Sequence, residues 1–299
     1  GQSVHQKEAD YQVPTGLKIK DEYSRAFQIA SAQWREFSQL FERQDINTHD
    51  VTQAFVENLL KHALGYHTIS ATAPLVVNDY SYRINYIAGR VPVVVAPFDM
   101  GLDESSELFA VEGSGYRRRT AFQLAQGFLN ADETYLWAIV TNGRQLRLLR
   151  DADTLTRPSF LEIDLEDVLQ GQRFSEFATV WRLLHASRAP QANQTNNQCV
   201  WEQWREHGVE EGTRVRKGLR LGVEQTLITL GTAFLQHPDN QALRAALHEG
   251  ALSKEAYLQQ LLRLVYRLIF LFTLEERGLL HPQSSTEAAR HAYAHGYAL

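Results

Sequence analysis

Residues 120–151 constrain the fold more than any other stretch of this chain, because they predict a helix followed by a tight two-stranded hairpin. Apolar side chains recur with helical spacing at Phe122, Leu124, Ala125, Phe128 and Leu129. Residues 135–140 then form a β-rich run, and Asn142-Gly143 is the dipeptide that best tolerates the positive φ angles of a type I′ turn. We therefore expect residues 145–149 to return antiparallel to that run.

The sequence before this stretch predicts two helices and then several strands. Residues 24–42 and 50–64 have amphipathic periodicity, with Asp50 as a helix cap, Gln53 at the capping-box position and Gly65 just past the helix end. From residue 74 the pattern changes to β-branched and aromatic alternation, which predicts strands at 75–77, 82–87 and 91–95. A further strand at 160–165 and a helix at 175–185 would complete a mixed sheet with flanking helices.

A polar segment divides the chain. Residues 186–198 are rich in Asn and Gln and lack apolar anchors, a composition typical of a linker. Beyond it, residues 200–236, 240–249 and 253–277 have helical periodicity. We therefore predict an α/β (α+β) domain over 1–185, a linker over 186–199 and an all-α module over 200–299.

Composition excludes several classes of protein. With 44% hydrophobic and 22% charged residues, the chain has the content of a folded domain rather than a disordered one, and a net charge of -5 argues against a uniformly basic nucleic-acid-coating protein. One cysteine, Cys199, cannot form an internal disulfide. No signal peptide is recognisable, and Arg263 and Arg267 interrupt the most apolar stretch. We expect a cytoplasmic protein without a membrane span.

Several segments resemble one family of DNA-modifying enzymes. A Gln-bearing helix leads into a strand that ends in Thr-Asn-Gly and is followed by Leu-Arg-Leu-Leu, which resembles the nuclease-like domain at the start of type IIG restriction-modification enzymes. Residues 156–188, 222–247 and 261–280 resemble the region before the methyltransferase core of such proteins, including the phage-defence methyltransferases of BREX and DISARM systems. The resemblance implies an N-terminal module of an enzyme that uses S-adenosylmethionine to methylate adenine-N6 in double-stranded DNA. It also implies other defence-system proteins as partners.

The resemblance includes a nuclease fold of the PD-(D/E)xK type, whose site needs an acidic residue on one strand and an acidic-x-Lys triplet on the next to hold Mg²⁺. Asp79 lies near the position of the first carboxylate. The next strand, however, carries only aliphatic residues and Pro97 where the acid and the lysine belong. We therefore expect a degenerate nuclease site in a module that supports the enzyme, contacts the DNA backbone or binds a partner. An active Mg²⁺-dependent endonuclease that uses Asp79 is the alternative.

Basic side chains around the central helix are the candidate nucleic-acid contacts. Arg117, Arg118 and Arg119 directly precede the Gln123 helix, where fixed charges would add to a dipole that favours phosphate. Three consecutive side chains fan out, so one of them could instead pair with Glu112 or Asp132. The resemblance adds Gln123, Arg144 and Arg147 to this set. Alternation along the hairpin predicts that Arg147 and Arg150 lie on opposite faces.

Motifs for other chemistry do not occur in this sequence. No phosphate-binding loop, nucleophile elbow or Pro-Pro pair of a base-flipping motif is present, and His291 and His295 have the spacing of metal ligands but no third ligand beside them. We expect these residues to hold no cofactor or metal. The chain begins at Gly1 and stops at Leu299 within a helix-like sequence, so we expect methyl transfer to reside beyond residue 299. A non-enzymatic protein-interaction scaffold is a further alternative.

Overall fold

The structure, a computed structural model, describes residues 5–115, 117–151, 160–191, 195, 198–281 and 285–296. Its contacts divide the chain into two compact units, Gly1–His207 and Gly208–Leu299. The division therefore falls inside helix α6 (Val200–Gln236), and not in the linker that we predict at 186–199. The reason is burial on either side of the polar segment: Arg188, Cys199 and Trp201 are all 1–2% exposed. Residues 192–194 and 196–197 lie outside the described residues.

The first unit is built on a six-stranded mixed sheet, which confirms the predicted α/β class. Its strand order is β1-β4-β5-β6-β7-β8, with β5 and β6 parallel and all other neighbours antiparallel. A separate two-stranded sheet pairs β2 with β3. The strands are β1 (Ser70–Ala71), β2 (Leu75–Val77), β3 (Tyr80–Tyr82), β4 (Tyr86–Ala88), β5 (Val91–Val95), β6 (Trp137–Thr141), β7 (Gln145–Arg150) and β8 (Phe160–Asp164).

Helices cover both faces of this sheet. One face packs against α1 (Ile19–Ser38), α2 (Thr48–Asn58), α4 (Leu165–Gln170) and α5 (Phe174–Leu184), and the other packs against α3 (Ala121–Ala131). Side chains alternate along β5 accordingly, because Val93 and Val95 join the first core and Val94 joins the second. β5 is therefore a fully buried central strand, and its aliphatic composition follows from burial on both faces.

The predicted helix and hairpin of residues 120–151 are confirmed, but the turn is of another kind. Thr120 caps α3 by accepting a hydrogen bond from the Gln123 backbone nitrogen at 3.0 Å, and the Gln123 side chain accepts one from the Thr120 nitrogen. In the hairpin loop only Gly143 has a positive φ, of 80°. The predicted type I′ turn is therefore wrong. Asn142 instead accepts hydrogen bonds through Oδ1 from the backbone nitrogens of Arg144 and Gln145, at 3.1 and 2.8 Å.

The early elements differ from the prediction in their ends. Asn47, and not Asp50, caps α2 by accepting hydrogen bonds from the nitrogens of His49 and Asp50. A π-helical turn, Leu59–Ala63, follows α2 and ends before Gly65, whose φ of 80° confirms the predicted terminator. The predicted strand at 82–87 is two strands, β3 and β4, in different sheets. Residues 83–85 lie between these strands, and the backbone nitrogen of Asn85 donates a hydrogen bond to the Val93 carbonyl oxygen at 3.1 Å.

The second unit is helical over its described residues, as predicted. The carboxyl-terminal part of α6 contacts α7 (Gln241–His248) and α8 (Lys254–Glu276) through hydrogen bonds, and α9 (Glu287–Gly296) follows. Tyr257 of α8 donates a hydrogen bond to the carbonyl of Gly231 at 2.9 Å, and Leu261 and Val265 are the buried apolar residues of α8. Large apolar side chains elsewhere are exposed, among them Val215, Ile228, Tyr266 and Phe270.

Among the described residues, one helix meets the length and composition of a membrane span. α8 is 23 residues long and apolar, and 11% of its most apolar window is buried. The sequence predicts no span here, because Arg263 and Arg267 interrupt the apolar stretch. An arginine at the centre of a bilayer costs about 2.5–3.5 kcal/mol. Length and composition alone nevertheless place this helix within the range of membrane-spanning segments.

Candidate functional site

The strand on which the resemblance requires an acid and a lysine, and on which the sequence has neither, is β5, whose carboxyl end lies beside helix α2. Asn85 accepts a hydrogen bond through Oδ1 from the backbone nitrogen of Val95 at 2.8 Å. His49 of α2 lies with its Nε2 atom 2.9 Å from the Val95 carbonyl oxygen and its Nδ1 atom 3.3 Å from the Gln53 amide nitrogen. Carbonyl oxygens only accept, so His49 donates through Nε2 and accepts through Nδ1.

These side chains border a small cavity of about 290 Å³. Its polar lining groups include His49, Gln53, Asn85 and Arg83, and no carboxylate is among the described residues that line it. Arg83 is paired with Glu112, through an Nη2 to Oε1 distance of 2.6 Å. A divalent cation such as Mg²⁺ prefers carboxylate oxygens. The cavity therefore offers amide and imidazole groups that can hydrogen-bond a ligand, without the negative charge that this metal needs.

Asp79 lies elsewhere. It is an exposed residue of the turn between β2 and β3, where Asn78 and Asp79 both have positive φ, of 51° and 66°. This pair of angles defines a type I′ hairpin turn, for which Asn and Asp are favoured. β2 and β3 form a sheet of their own, so Asp79 is held in a turn and not on a strand of the main sheet. The described residues contain no group of three His, Cys, Asp or Glu side chains that could hold a metal ion.

The residues at this position were not identified from the sequence. Asn85 stands in the middle of a run that predicts a continuous strand, and His49 stands beside the cap of α2. A neutral polar residue in such a run is a weak signal, because half-buried strands often carry one on the solvent side. Only the pairing of β4 with β5 and the packing of α2 bring Asn85, His49 and Val95 together.

The three consecutive arginines precede α3 in extended backbone. Arg119 forms a β-bridge with Ser106, and the Nη2 atom of Arg118 donates a hydrogen bond to the Ser105 carbonyl oxygen at 2.7 Å. Arg117 and Arg118 are exposed. Glu112, which the sequence offers as a possible partner for this run, is paired with Arg83 instead. The structure thus presents two of the three guanidinium groups at the surface.

Two other predicted nucleic-acid residues have local roles. The Gln123 side chain accepts a hydrogen bond from the Thr120 nitrogen at 3.1 Å and so closes the capping box of α3. The Nε atom of Arg144, in the hairpin loop, donates to the Glu166 carboxylate at 2.7 Å, and this pair is about 40% exposed on each side. Arg144 therefore keeps an accessible side chain, whereas the Gln123 amide is partly used by the cap.

Arg147 is buried and paired with two carboxylates. Its Nη1 and Nη2 atoms donate to both oxygens of Asp103 at 2.7 Å, and its Nε atom donates to Glu162 at 2.6 Å. The guanidinium carbon lies 4.3 Å from the centre of the Phe160 ring. The pKa of Arg147 is raised above its usual range, and the largest cause is the pair of hydrogen bonds that Arg147 donates to Asp103. A side chain that is 7% exposed and bound on three sides stabilises the sheet and presents little charge to an external ligand.

Arg150 faces the opposite side of β7, as the alternation predicts. It donates two hydrogen bonds to Glu202 of α6, each 2.8 Å long. Burial acts most strongly on this carboxyl, by raising its pKa, but the hydrogen bonds from Arg150 and Arg205 outweigh it and hold the pKa of Glu202 below its usual value. The pair joins the sheet to the first turn of α6.

In α9, the rings of His291 and His295 lie 4.1 Å apart between centroids, with no third ligand among the described residues.

The sequence matches no protein-family model, and comparison with curated proteins and with solved structures gives no match.

Proposed function

We propose that this chain is a non-methyltransferase module of a DNA restriction-modification or phage-defence adenine methyltransferase, and that its α/β unit is a nuclease-like domain without nuclease activity. The observation that carries the proposal is the neutral Asn85, His49 and Gln53 group at the carboxyl end of β5. The order of the elements supports the proposal of a nuclease-like domain. A helix is followed by a meander of strands, a crossover helix and a parallel strand. The loss of charge at the end of β5 supports the absence of cutting.

The role that the exposed charges favour is contact with the DNA backbone. Arg117 and Arg118 extend from a segment that a β-bridge to Ser106 holds beside the main sheet. Guanidinium groups bind phosphate through paired N–H donors, without reading the base sequence. The acidic side chains of Glu107 and Glu112 lie on the same stretch of chain, so this contact would be weak and strongly dependent on salt.

Fluorescence anisotropy of a labelled 20-base-pair duplex tests backbone contact. We expect the affinity of the full chain to fall by about tenfold or more between 50 and 200 mM NaCl, because each neutralised phosphate releases condensed counterions. Reversing both charges, with Arg117→Glu and Arg118→Glu in one variant, should weaken the affinity at 50 mM NaCl by about tenfold as well. The matched control reverses Lys20 and Lys254, which are also exposed and change the net charge equally. Equal losses in the two double variants would reduce the effect to overall charge and remove the assigned surface.

Methyl transfer is proposed for the longer protein, with S-adenosylmethionine as cofactor. Deleting the gene in its host should abolish adenine-N6 methylation at one defined DNA sequence, and restoring it should bring the methylation back. Unchanged adenine methylation after deletion would remove this part of the proposal. A cytoplasmic location is part of the same proposal, because the DNA substrate is there.

The endonuclease alternative predicts the opposite result. It requires the full chain to nick plasmid DNA with Mg²⁺ and to lose that activity in Asp79→Ala. We expect no nicking by the unaltered chain. Two observations favour the non-catalytic role: Asp79 lies in a turn, and the described residues that line the cavity beside Asn85 include no carboxylate.

A second role, protein interaction, is favoured by the apolar surface of the helical unit. Val215, Ile228, Tyr266 and Phe270 are each 62–70% exposed, and exposed apolar side chains of this size are typical of interaction surfaces. If a defence-system protein binds here, its co-purification with the full chain should be lost in a Tyr266→Ser, Phe270→Ser variant, which leaves the net charge unchanged. DNA affinity should stay unchanged in that variant, which separates this role from backbone contact.

A further inference from the structure

A second and larger cavity, of about 470 Å³, lies in the first unit on the side of the helices α1 and α5. Arg25 of α1, Lys61 of the π-helical turn, and His67 and His185 line it. This volume falls within the range of small-molecule sites in proteins and accommodates a ligand of about mononucleotide size.

Positive charge predominates around this cavity. Arg25 and Lys61 line it, and Glu22 is the carboxylate among its described lining residues. Glu22 is already bound, since the Nη2 atom of Arg25 lies 2.7 Å from its Oε2 atom. A third cation, Arg188, lies behind the wall and donates its hydrogen bonds to the carbonyls of His5 and Asp10 and to the Ser187 hydroxyl. These hydrogen-bond partners are uncharged, and the Asp10 carboxylate acts on Arg188 only through its charge.

The wall also supplies a neutral hydrogen-bond donor. The Ser187 backbone nitrogen donates to His185 Nδ1 at 3.3 Å, so the proton of the neutral imidazole is on Nε2. The Nε2 atom lies against Gly65, where a Cβ atom would be only 2.8 Å away. Gly65 therefore leaves the room that this ring atom occupies at the cavity wall. Burial first, and then the positive charges of Arg188, His67 and Arg25, lower the pKa of His185 to about 4.

Arg188, His67 and Arg25 all add to the effect of burial in lowering the pKa of His185. Every cause of the shift acts in the same direction, and no negative group offsets it. A half-enclosed site with excess positive charge favours an anion, because low-dielectric walls strengthen the attraction. The stacked rings of Tyr11 and Trp181, 5.2 Å apart between centroids, form part of the same wall and give it an apolar surface.

We propose that this cavity binds a phosphate-bearing small molecule of about mononucleotide size, with Arg25 and Lys61 at the phosphate and the Nε2–H group of His185 donating a hydrogen bond to the ligand. A phosphate monoester carries nearly two negative charges at neutral pH, which the cations Arg25 and Lys61 of the cavity wall attract. The guanidinium of Arg25 can offer a phosphate the paired donors that it does not use for Glu22.

Isothermal titration calorimetry of the full chain in phosphate-free buffer tests this assignment, with AMP, inorganic phosphate and adenosine as probes. We expect AMP to bind, inorganic phosphate to bind more weakly and adenosine not to bind. Lys61→Glu should weaken AMP binding at least about tenfold. The matched control, Lys20→Glu, reverses an exposed charge on α1 that does not line the cavity and should change the affinity less than twofold.

A second measurement shows whether the variant is still folded. The Lys61→Glu variant must keep the circular dichroism spectrum of the unaltered chain, and Arg25→Gln, a milder change, should weaken AMP binding as well. Absence of AMP and phosphate binding at millimolar concentration, or equal binding by Lys61→Glu, would overturn the proposal. Equal binding of adenosine would also overturn it. Displacement of AMP by a short DNA duplex would assign the phosphate to nucleic acid instead of a small molecule.

Discussion

The side-chain oxygen of Asn85 accepts a hydrogen bond from the backbone nitrogen of Val95 at 2.8 Å, and so replaces a strand-to-strand contact at the end of β5. This nitrogen lies where the central sheet ends, beside the imidazole of His49. The Asn85 amide therefore stops the pairing of β4 with β5. It also forms one side of the small cavity.

Replacing Asn85 by alanine should destabilise the first unit by about 1–3 kcal/mol, because the partly buried nitrogen of Val95 loses its acceptor. Asn85→Asp keeps an acceptor oxygen and should cost less. Urea unfolding followed by tryptophan fluorescence measures both. Equal losses in the two variants would show that the hydrogen bond to Val95 is not what stabilises this edge.

Asn85→Asp should also fail to create Mg²⁺-dependent DNA cleavage. A single carboxylate at this position still lacks the second acid and the lysine, since Val95, Ala96 and Pro97 follow on the next strand. Plasmid nicking with and without Mg²⁺ is the measurement. Cleavage by Asn85→Asp would mean that acids elsewhere in the chain complete a metal site.

Arg147→Lys should lower the free energy of unfolding by about 1–3 kcal/mol, because an ammonium group cannot make the paired hydrogen bonds to Asp103 while also reaching Glu162. DNA affinity of the folded variant should stay within about twofold of the unaltered chain. Arg117→Ala is the contrasting variant, for which we expect unchanged stability and weaker DNA binding. The opposite pattern would assign Arg147 to the DNA contact and Arg117 to the fold.

Gly143→Ala should destabilise the hairpin by two separate effects. The φ of 80° is strained for an L residue by about 1–2 kcal/mol, and a Cβ atom would lie 2.8 Å from the Phe37 ring. Gly16→Ala isolates the first effect, because Gly16 has a φ of 94° and open space around its Cβ position. Thermal unfolding should therefore show a larger loss for Gly143→Ala. Equal losses would mean that the Phe37 ring moves without cost.

Stability should fall as the pH drops from about 6.5 towards 4. The pKa of His185 is lowered by burial, and then by Arg188, His67 and Arg25, to about 4 in the folded chain, against an ordinary value of 6.5. Between these values the unfolded chain binds the additional proton, so unfolding becomes easier on acidification, and the effect vanishes above pH 6.5. His185→Gln should flatten this part of the profile measured by urea unfolding. An unchanged slope would show that His185 is not the group responsible.

The sequence alone determined the order and type of the main elements. The periodicity of residues 121–131, the β-rich run after it and the Asn-Gly dipeptide depend on neighbours a few residues apart, and local propensity acts at that range. Helices α6 and α8, and the glycine that ends the turn after α2, follow from the same local signals. The aliphatic composition of β5 also indicated that no acid stands on that strand.

Only the tertiary structure decided what each polar side chain contacts. Arg147 meets Asp103 across 44 residues, and Arg188 meets the carbonyl of His5 across 183, so neither pairing leaves a trace in local spacing. The neutral group around Asn85 and the cationic cavity beside His185 arise in the same way, from packing of helices on a sheet whose strands are distant in sequence. The positions of charges along a chain are given by its sequence. Which of these charges are exposed, and which groups they contact, depends on the surfaces that the hydrophobic cores bring together.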